Sequence, residues 1–248
     1  MRGELTVEEY MAGLGVDMLH AGGMKRTEDL AEMCRVSRGK SVLDVGCGYG
    51  KTASFLVKKY GCEVFGLDIS RRMIEGARKK VREEHVRDIV HLLLGNAESM
   101  PFKDESFDVV ISEGTTVFLE KEKALKEYVR VTKHGGYIGL NELSWRKEPP
   151  RRAVERAFND LQGVQPLKCE EWIKLLVDSG LEDVESRTYR YKSFSWDVIR
   201  SIGLHALVKV GVKYLIDSRI RRWISRQEVV FHNYSEYWGY GLYSGRKP

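Results

Sequence analysis

The chain has 248 residues, of which 42% are apolar and 31% are charged, and its formal net charge is +5. This composition supports one large folded domain, or a domain with an appended cap, and it excludes global disorder. The longest stretch without a charged residue covers only positions 237–245, whereas a membrane-spanning helix needs about 18–20 apolar residues. Because the first residues also lack a secretory leader pattern, the sequence predicts a cytoplasmic protein.

Short apolar runs alternate with amphipathic stretches from about residue 40 to residue 143. The runs predict five strands, at 41–46, 62–68, 89–95, 107–112 and 135–143. Helices are predicted at 51–61, at 70–84 with Ser70 as N-cap, and at 121–133. Strands joined by helical crossovers are typical of a parallel sheet covered on both faces, the doubly wound α/β class.

Beyond residue 143 the pattern predicts two helices, a sixth strand that follows Gly180, about 30 mostly helical residues, and a final aromatic and Gly-rich strand. We therefore predict three parts. Residues 1–39 form a helical N-terminal lid that is broken at Gly22-Gly23. Residues 40–195 and 227–248 form the core. Residues 196–226 form a basic helical cap inserted between strands six and seven.

A glycine-rich loop follows the first strand. It contains, in GxGxG spacing, Asp44, Gly46, Cys47, Gly48 and Gly50. A nicotinamide dinucleotide fingerprint would need a further glycine where Lys51 stands. Glycines let the backbone turn tightly and approach a ligand, and the following helix offers free N–H groups to a carboxylate. Asp44 suits a cationic amine, although the loop alone is also compatible with a purely structural strand-to-helix turn.

Two further polar features follow the next two strands. Asp68 ends the second strand, where an acid can accept both hydroxyls of a ribose. After the third strand, the Asn96 amide oxygen can accept from an adenine amino group, and the Ala97 N–H can donate to a ring nitrogen. The carboxyl ends of parallel strands share the sheet edge at which open α/β sheets bind ligands. An adenosine-containing ligand is therefore predicted at this edge.

Four segments together resemble the class I S-adenosylmethionine-dependent methyltransferases, in the group that includes quinone and small-molecule methyltransferases. They are VLDVGCGYG at 42–50, VFGLDISRRMIEGAR at 64–78, GNAESMPFKDESFDVVIS at 95–112 and EYVRVTKHGGYIGLNE at 127–142. The resemblance implies S-adenosyl-L-methionine as the cofactor. It also implies a Rossmann-like seven-stranded sheet in the order 3-2-1-4-5-7-6, with strand seven antiparallel.

The resemblance also implies roles for individual residues. The loop glycines would line the methionine part of the cofactor, with Asp44 near its amino group, Asp68 on the ribose, and Ile69 and Met73 near the adenine. The full set of predicted cofactor-binding residues is Asp44, Gly46, Cys47, Gly48, Gly50, Asp68, Ile69, Met73, Asn96, Ala97, Glu98, Ser112 and Glu113. Asn96 stands where the family more usually has Asp, which keeps the acceptor oxygen and removes the charge.

Glu113 is the candidate general base. Methyl transfer from a sulfonium is an in-line displacement, so an enzyme works mainly by holding the nucleophile close, aligned and desolvated. An acceptor that must lose a proton also needs a base. Ser112 and Glu113 follow strand four, which by topology faces the methyl group. A Glu113 that only orders its loop is an equal alternative at this stage.

The acceptor class follows from what the sequence lacks. An enzyme that methylates an exocyclic amine of a nucleic acid would carry a Pro-Pro-aromatic motif after strand four, and this chain has SEGTT at 112–116. We therefore expect no nucleic-acid partner. The four cysteines, Cys34, Cys47, Cys62 and Cys169, form no CxxC pair and predict reduced thiols without a metal site. A small organic acceptor is the main prediction, and its alternative is a membrane-associated quinone or lipid-like acceptor.

The late basic segment keeps several interpretations open. Residues 186–226 hold ten Lys and Arg and two Asp, a net charge of +8, so the other 207 residues carry 31 − 34 = −3. The stretch at 196–226 is predicted to be an amphipathic cap over the active site, a membrane-surface element or binder of an anionic acceptor, or a dimer interface. Two other functional classes also remain: a non-catalytic S-adenosylmethionine-binding protein and a nicotinamide oxidoreductase.

Overall fold

The computed structural model describes residues 20–191 and 204–248, and a mixed β-sheet lies at its centre. The strands are β1 (Ser41–Val45), β2 (Glu63–Asp68), β3 (Val90–Leu94), β4 (Phe107–Glu113), β5 (Thr132–Trp145), β6 (Leu167–Lys168), β7 (Glu182–Arg190) and β8 (Trp238–Arg246). The helices are α1 (Gly23–Met33), α2 (Lys51–Tyr60), α3 (Arg71–Glu83), α4 (Lys121–Val131), α5 (Arg151–Asp160), α6 (Cys169–Asp178), α7 (Leu204–Ile216) and α8 (Ser218–Asn233). One 3₁₀ turn, η1 (Thr116–Phe118), follows β4.

The strand order confirms the predicted doubly wound topology. The strands lie in the order β3-β2-β1-β4-β5-β8-β7, and the short β6 pairs with β5. β8 is antiparallel to both of its neighbours, β5 and β7, whereas the other pairings are parallel. β7 and β8 are therefore the predicted strands six and seven. The pattern missed β6, because two residues are too few to show a period.

Local signals set the helix ends where the sequence predicts them. Gly50 and Gly61 flank α2 with φ angles of 75° and 67°, in the left-handed region that glycine adopts without strain. Ser70 caps α3, since its hydroxyl oxygen accepts a hydrogen bond from the Met73 backbone N–H. These two helices pack on one face of the sheet, and the first turn of α2 lies at the carboxyl end of β1, where the Ala53 N–H donates to Asp44.

The boundary between α4 and β5 differs from the prediction. The helix ends at Val131 rather than at residue 133, and β5 runs from Thr132 to Trp145 rather than from 135 to 143. Thr132 pairs with Phe107, and the register then shifts before Val109. At its other end β5 continues because Trp145 pairs with Trp238 of β8. Pairing with neighbouring strands, which no local pattern reports, fixes both ends.

The core lies on both faces of the sheet. One cluster packs α1, α2 and α3 against the sheet and includes Leu30 and Leu56. The other packs α4, α5, α6 and α8 against the opposite face and includes Tyr128 and Trp172. Trp172 is fully buried, and its indole N–H donates to the Leu143 carbonyl. These clusters hold the strands, and therefore their carboxyl ends, in fixed positions.

The predicted lid and cap fall partly outside the described residues, at positions 1–19 and 192–203. Within the lid, α1 begins at Gly23, the position of the predicted break. Its Arg26 guanidinium lies 4.2 Å from the ring centroid of Tyr189 on β7. In the cap, α8 does not end at the predicted boundary at Arg226 but continues to Asn233. Within 20–191 and 204–248, no helix is long and apolar enough to cross a membrane.

α8 crosses the predicted cap boundary because both of its halves are anchored in the core. Ile220 and Val230 are buried, and the Trp238 indole N–H donates to the Val230 carbonyl at 3.2 Å. Cutting the chain at 226 would therefore split a packed helix. The cap and the core share this element.

We predict that Trp172→Ala will lower the free energy of unfolding by roughly 3–5 kcal/mol, because it leaves a cavity in the core beneath α6. Chemical denaturation followed by circular dichroism measures the loss. The matched control is Val177→Ala on the same helix, whose side chain is exposed, and it should change stability by less than about 0.5 kcal/mol. Equal losses in the two variants would contradict the described packing of α6.

Candidate active site

The glycine-rich loop and Asp68 meet at the carboxyl edge of the sheet, as predicted. The Asp68 carboxylate accepts backbone hydrogen bonds from Gly48 and Ser70, both at 2.9 Å. The Gly46 N–H donates to the Leu67 carbonyl at 2.7 Å. These bonds hold the loop after β1 against the end of β2. Two predicted binding elements therefore form one rigid unit.

Glycine is needed at positions 46 and 48 of the loop for different physical reasons. Gly46 has a φ of +71°, and a Cβ there would lie 2.0 Å from the Thr115 hydroxyl oxygen, so any side chain would displace the turn after β4. Gly48 has a φ of +52°, yet a Cβ there would meet no atom within 4 Å. The space above Gly48 is open, as a loop that admits a ligand close to its backbone requires.

Asp44 is a buried carboxylate without a cation. It receives a backbone hydrogen bond from Ala53 in the first turn of α2, but its Oδ2 atom has no hydrogen-bond partner. Burial and the negative charges of Glu113 and Asp68 raise the pKa of Asp44 well above its usual range. No lysine or arginine in the described parts of the chain forms an ion pair with it. Without a cationic partner the Asp44 carboxyl therefore favours its protonated form, and a cationic ligand would favour the carboxylate.

Glu113 is the centre of a buried hydrogen-bond network. Its carboxylate accepts from the Thr27 hydroxyl of α1 at 3.0 Å, the Thr52 hydroxyl of α2 at 3.1 Å and the Asn141 amide of β5 at 3.0 Å. The imidazole Nδ1 of His20 lies 3.5 Å from the same carboxylate. One side chain thus joins four separate segments of the chain, which is the arrangement expected of a residue that orders the site.

Asn141 adds a second acceptor without a partner to this face. Its amide nitrogen donates to Glu113 and to the Ala21 carbonyl, whereas its Oδ1 atom has no partner. Asn141 lies directly opposite Glu113 in the register of β4 and β5. The edge therefore presents two buried oxygens, on Asp44 and Asn141, that can accept further hydrogen bonds. It favours a ligand rich in donors or positive charge.

The residues predicted to lie near the adenine are only partly available to a ligand. Ile69 is 75% exposed, which leaves an apolar surface next to Asp68, whereas Met73 is buried. The Asn96 amide oxygen accepts the backbone N–H of Glu98 at 2.9 Å, so one lone pair is used in a turn and one is left for a ligand. Glu98 in turn accepts from the Glu120 backbone N–H at 2.7 Å.

Two predicted binding residues point away from this edge. The Cys47 sulfur packs against β2, where a Cβ on Gly66 would lie 2.9 Å from it. Cys47 can therefore contribute only its backbone. The Ser112 hydroxyl lies on the opposite face of the sheet, 2.8 Å from the hydroxyl of Thr116. Neighbouring residues on a strand face opposite ways, so Ser112 and Glu113 cannot both face one pocket.

Glu142 is the buried acid of that opposite face. One of its oxygens accepts the backbone N–H groups of Thr115 and Thr116 at the start of η1, while Oε2 has no partner. Burial raises the pKa of Glu142 to about 7. Glu142 fixes the turn after β4 from the opposite face of the sheet and so helps to position Glu113.

Sequence reasoning missed Thr27 and Thr52 as members of the site. Each is a polar residue within an amphipathic helix, and its burial is the only feature that marks it. The pairing of both with Glu113 depends on tertiary packing, in which α1 lies against β5 and β8 and α2 lies against β2 and β3. Asn141 and Glu142 lie at the end of strand five, and as neighbours on a strand they face opposite ways, but their hydrogen-bond partners on other elements had no sequence signal.

The sheet order, the GxGxG loop and the acid after β2 together define the class I fold of S-adenosylmethionine-dependent methyltransferases. Residues 43–140 match a family described as a methyltransferase domain. The chain belongs to this family, and the match covers β1 to most of β5, the part that carries the edge described above. The resemblance inferred from the four sequence segments is confirmed.

The chain is similar to several known proteins. An uncharacterized protein of Haemophilus influenzae is 31% identical over 71% of this chain and 72% of its own length. Methyltransferase GfsG of Streptomyces halstedii is 33% identical over 68% of this chain, and the match spans 63% of that protein. The solved structure of Haemonchus contortus phosphoethanolamine N-methyltransferase 2 with S-adenosyl-L-methionine has a TM-score of 0.78 at 18% identity. It covers 100% of this chain and 58% of that one.

In the parent protein, Glu142 is expected to make the free energy of unfolding decrease as pH rises. We predict that Glu142→Gln will abolish this contribution. The unfolded carboxyl loses its proton near pH 4.5 and the folded one near pH 7, so the folded state binds the extra proton in between and loses stability as pH rises through this window. Between pH 5 and pH 8 the parent should lose about 2 kcal/mol more than the variant. Denaturation at the two pH values measures this, with exposed Glu122→Gln as control. Parallel pH profiles for all three proteins would contradict the buried state of Glu142.

Proposed function

We propose that this protein transfers a methyl group from S-adenosyl-L-methionine to a small organic acceptor. The observation that carries the proposal is the buried Oδ2 atom of Asp44, which has no hydrogen-bond partner and lies beside a glycine loop with open space above Gly48. A ligand that brings an ammonium group to this edge would supply the missing positive charge. The cofactor carries such a group, and its sulfonium provides a methyl group for transfer.

The residues present fit this cofactor in three respects. Asp44 and the free oxygen of Asn141 offer acceptors to an ammonium group. Asp68 already holds the loop through Gly48 and Ser70, and a carboxylate has about four acceptor sites, so it can also accept from ribose hydroxyls. Ile69 offers an exposed apolar surface to a purine ring.

The negative charges of the edge serve binding and positioning. The negative charges of Glu113 and Asp68 add to burial in raising the pKa of Asp44, and a cationic ligand offsets their effect. Glu113 has hydrogen bonds from three side chains, so we propose that it keeps α1, α2 and β5 in place around the reacting groups. Its predicted role as general base stays a prediction that the acceptor's chemistry will decide.

The choice of acceptor stays open between two classes. A small organic molecule agrees with the family and with the absence of a nucleic-acid motif after β4. A membrane-associated quinone or lipid-like acceptor is the second class, supported by the basic α7–α8 region. The division into lid, core and cap and the cytoplasmic location are likewise proposals, as is the alternative of a protein that binds the cofactor without turnover.

Asp44→Asn should reduce affinity for S-adenosylhomocysteine at least tenfold, because a charge-assisted bond is worth about 1.5–3 kcal/mol. In the parent, the ammonium group favours the carboxylate form of Asp44, whose pKa is raised in the free protein. Binding should therefore release a proton and tighten as pH rises. Titration calorimetry in two buffers of different ionisation enthalpy, at pH 6 and pH 8, measures both effects.

The control variant is Asp108→Asn, at the amino-terminal end of β4, where Asp108 is bonded to Ser41 and Lys133. It should keep the parent affinity and proton release. NAD should not bind to either protein with comparable affinity. A folded Asp44→Asn protein with the parent's affinity for S-adenosylhomocysteine would contradict the cofactor assignment.

Turnover is tested by incubating the protein with methyl-labelled S-adenosylmethionine and an extract of its source cells. We expect the label in a small organic product, and partition into organic solvent would assign a lipid-like acceptor. Asp44→Asn should transfer little label. Label on protein or nucleic acid would contradict the proposed acceptor class, and normal cofactor binding without any labelled product would support the non-catalytic alternative.

A further inference from the structure

The two helices that precede β8 form a hairpin with an exposed apolar stripe. We use the name α7–α8 hairpin for residues 204–233, in which α7 ends at Ile216 and α8 begins at Ser218. Val208, Val212 and Leu215 follow a spacing of four and three residues and so lie on one side of α7. Their exposed fractions are 57%, 49% and 73%, and that of Ile216, at the tip, is 71%.

An exposed stripe of this kind requires an explanation. Helices of soluble domains turn their apolar face to the core, and a contiguous apolar surface left outside marks an interaction site. α8 obeys the first rule, since Ile220 and Val230 are buried in the core. Among the described elements, α7 makes its main contact with α8 alone. Val208, Val212 and Leu215 therefore face away from the part of the domain that the structure describes.

Basic residues surround the tip of the hairpin. Residues 213–226 contain five of them, Lys213, Arg219, Arg221, Arg222 and Arg226, and one acidic residue, Asp217, so this stretch carries +4 of the chain's net +5. All five basic residues are exposed. An anionic partner is therefore favoured over a neutral or cationic one.

The turn itself is fixed by hydrogen bonds. The Arg221 guanidinium donates to the carbonyls of Tyr214 and Leu215 at 3.2 and 3.1 Å. The Asp217 carboxylate caps α8 by accepting the Arg219 backbone N–H at 2.9 Å. These bonds close the end of α7 while Leu215 and Ile216 project beyond it. The tip is preorganised with apolar side chains outermost and arginines behind them.

Three kinds of partner can be compared on this chemistry. A second copy of the chain would bring two surfaces of charge +4 together, which is unfavourable. A nucleic acid would pair with the arginines but would leave the aliphatic side chains in water, because they have no ring to stack on bases. An anionic lipid surface accepts both, since aliphatic side chains enter the acyl boundary while arginines contact headgroup phosphates.

We propose that the α7–α8 hairpin docks this protein on the surface of anionic lipid bilayers. Leu215 and Ile216 enter the interface, with Val208 and Val212 along its plane, and Arg222 and Arg226 contact phosphates. The hairpin leads directly into β8, whose first residue pairs with Trp145 at the carboxyl end of β5. The docking surface is thus attached at the edge that holds the candidate active site. The proposal concerns binding alone and does not rest on the proposed function.

Flotation of the full-length protein with vesicles tests the proposal. We expect binding to vesicles of phosphatidylglycerol and phosphatidylcholine, and little binding to pure phosphatidylcholine. Raising the salt from 0.1 M to 0.5 M should weaken binding, since surface charges are screened. Arg222→Gln with Arg226→Gln should weaken binding about 25-fold, or about fivefold for each charge. Leu215→Ser with Ile216→Ser should weaken it at least tenfold.

Two matched controls separate docking from general surface effects. Lys123→Gln with Lys126→Gln removes two exposed charges from α4, and Val154→Ser with Phe158→Ser removes two exposed apolar side chains from α5. Both controls should bind vesicles as the parent does, and circular dichroism should show that every variant is folded.

Three results would overturn the proposal. The first is a parent protein that does not float with anionic vesicles. The second is vesicle binding that the hairpin variants share unchanged with the controls. The third is a dimer, detected by analytical ultracentrifugation, that Leu215→Ser with Ile216→Ser dissociates while vesicle binding is absent, because a second copy would then be the partner of the stripe. Cofactor affinity, measured separately, should be the same in all variants.

Discussion

The uncompensated carboxylate of Asp44 is the constraint on which the candidate site depends. A charged group in a buried position is costly unless a partner offsets it, and folding brings Asp44 near two more acids, Asp68 and Glu113. The hydrogen bond from the Ala53 N–H offsets only part of this cost. The protein retains this unfavourable position for a carboxylate because β1, the glycine loop and α2 are fixed by packing elsewhere. A cationic ligand completes the electrostatics that the fold leaves incomplete.

The two faces of the sheet carry different buried acids, and each acid stabilises a different part of the site. On one face Glu113 gathers hydroxyl and amide donors from α1, α2 and β5 and fixes the walls of the site. On the other face Glu142 holds the turn after β4 through two backbone N–H groups. Both acids are buried, but only Glu113 lies among side chains that surround the ligand edge. The alternation of side chains along β4 and β5 makes this division necessary.

Sequence patterns were sufficient for the parts of the molecule that depend on local rules. Strand runs, the stop at Gly61, the cap at Ser70 and the four family segments gave the sheet order and the cofactor edge. They could not give the network around Glu113, because Thr27, Thr52 and Asn141 are distant in sequence and ordinary in composition. The predicted cap boundary at 226 falls within α8, because the burial of Ile220 and Val230 arises from tertiary packing, which the basic composition of the segment conceals. The turn that occupies the Asn96 oxygen also had no sequence signal.

The continuity of α8 has a mechanical consequence. Its 16 residues form a rod of about 24 Å, at 1.5 Å for each residue, with one end at the arginine-rich tip and the other bonded to Trp238 in the sheet. A rod of this length is stiff on the scale of the domain, so the tip cannot move independently of β8. Whatever holds the tip therefore sets the height and orientation of the carboxyl edge. With the hairpin docked as proposed above, this fixed length would set the distance between the lipid surface and the carboxyl edge.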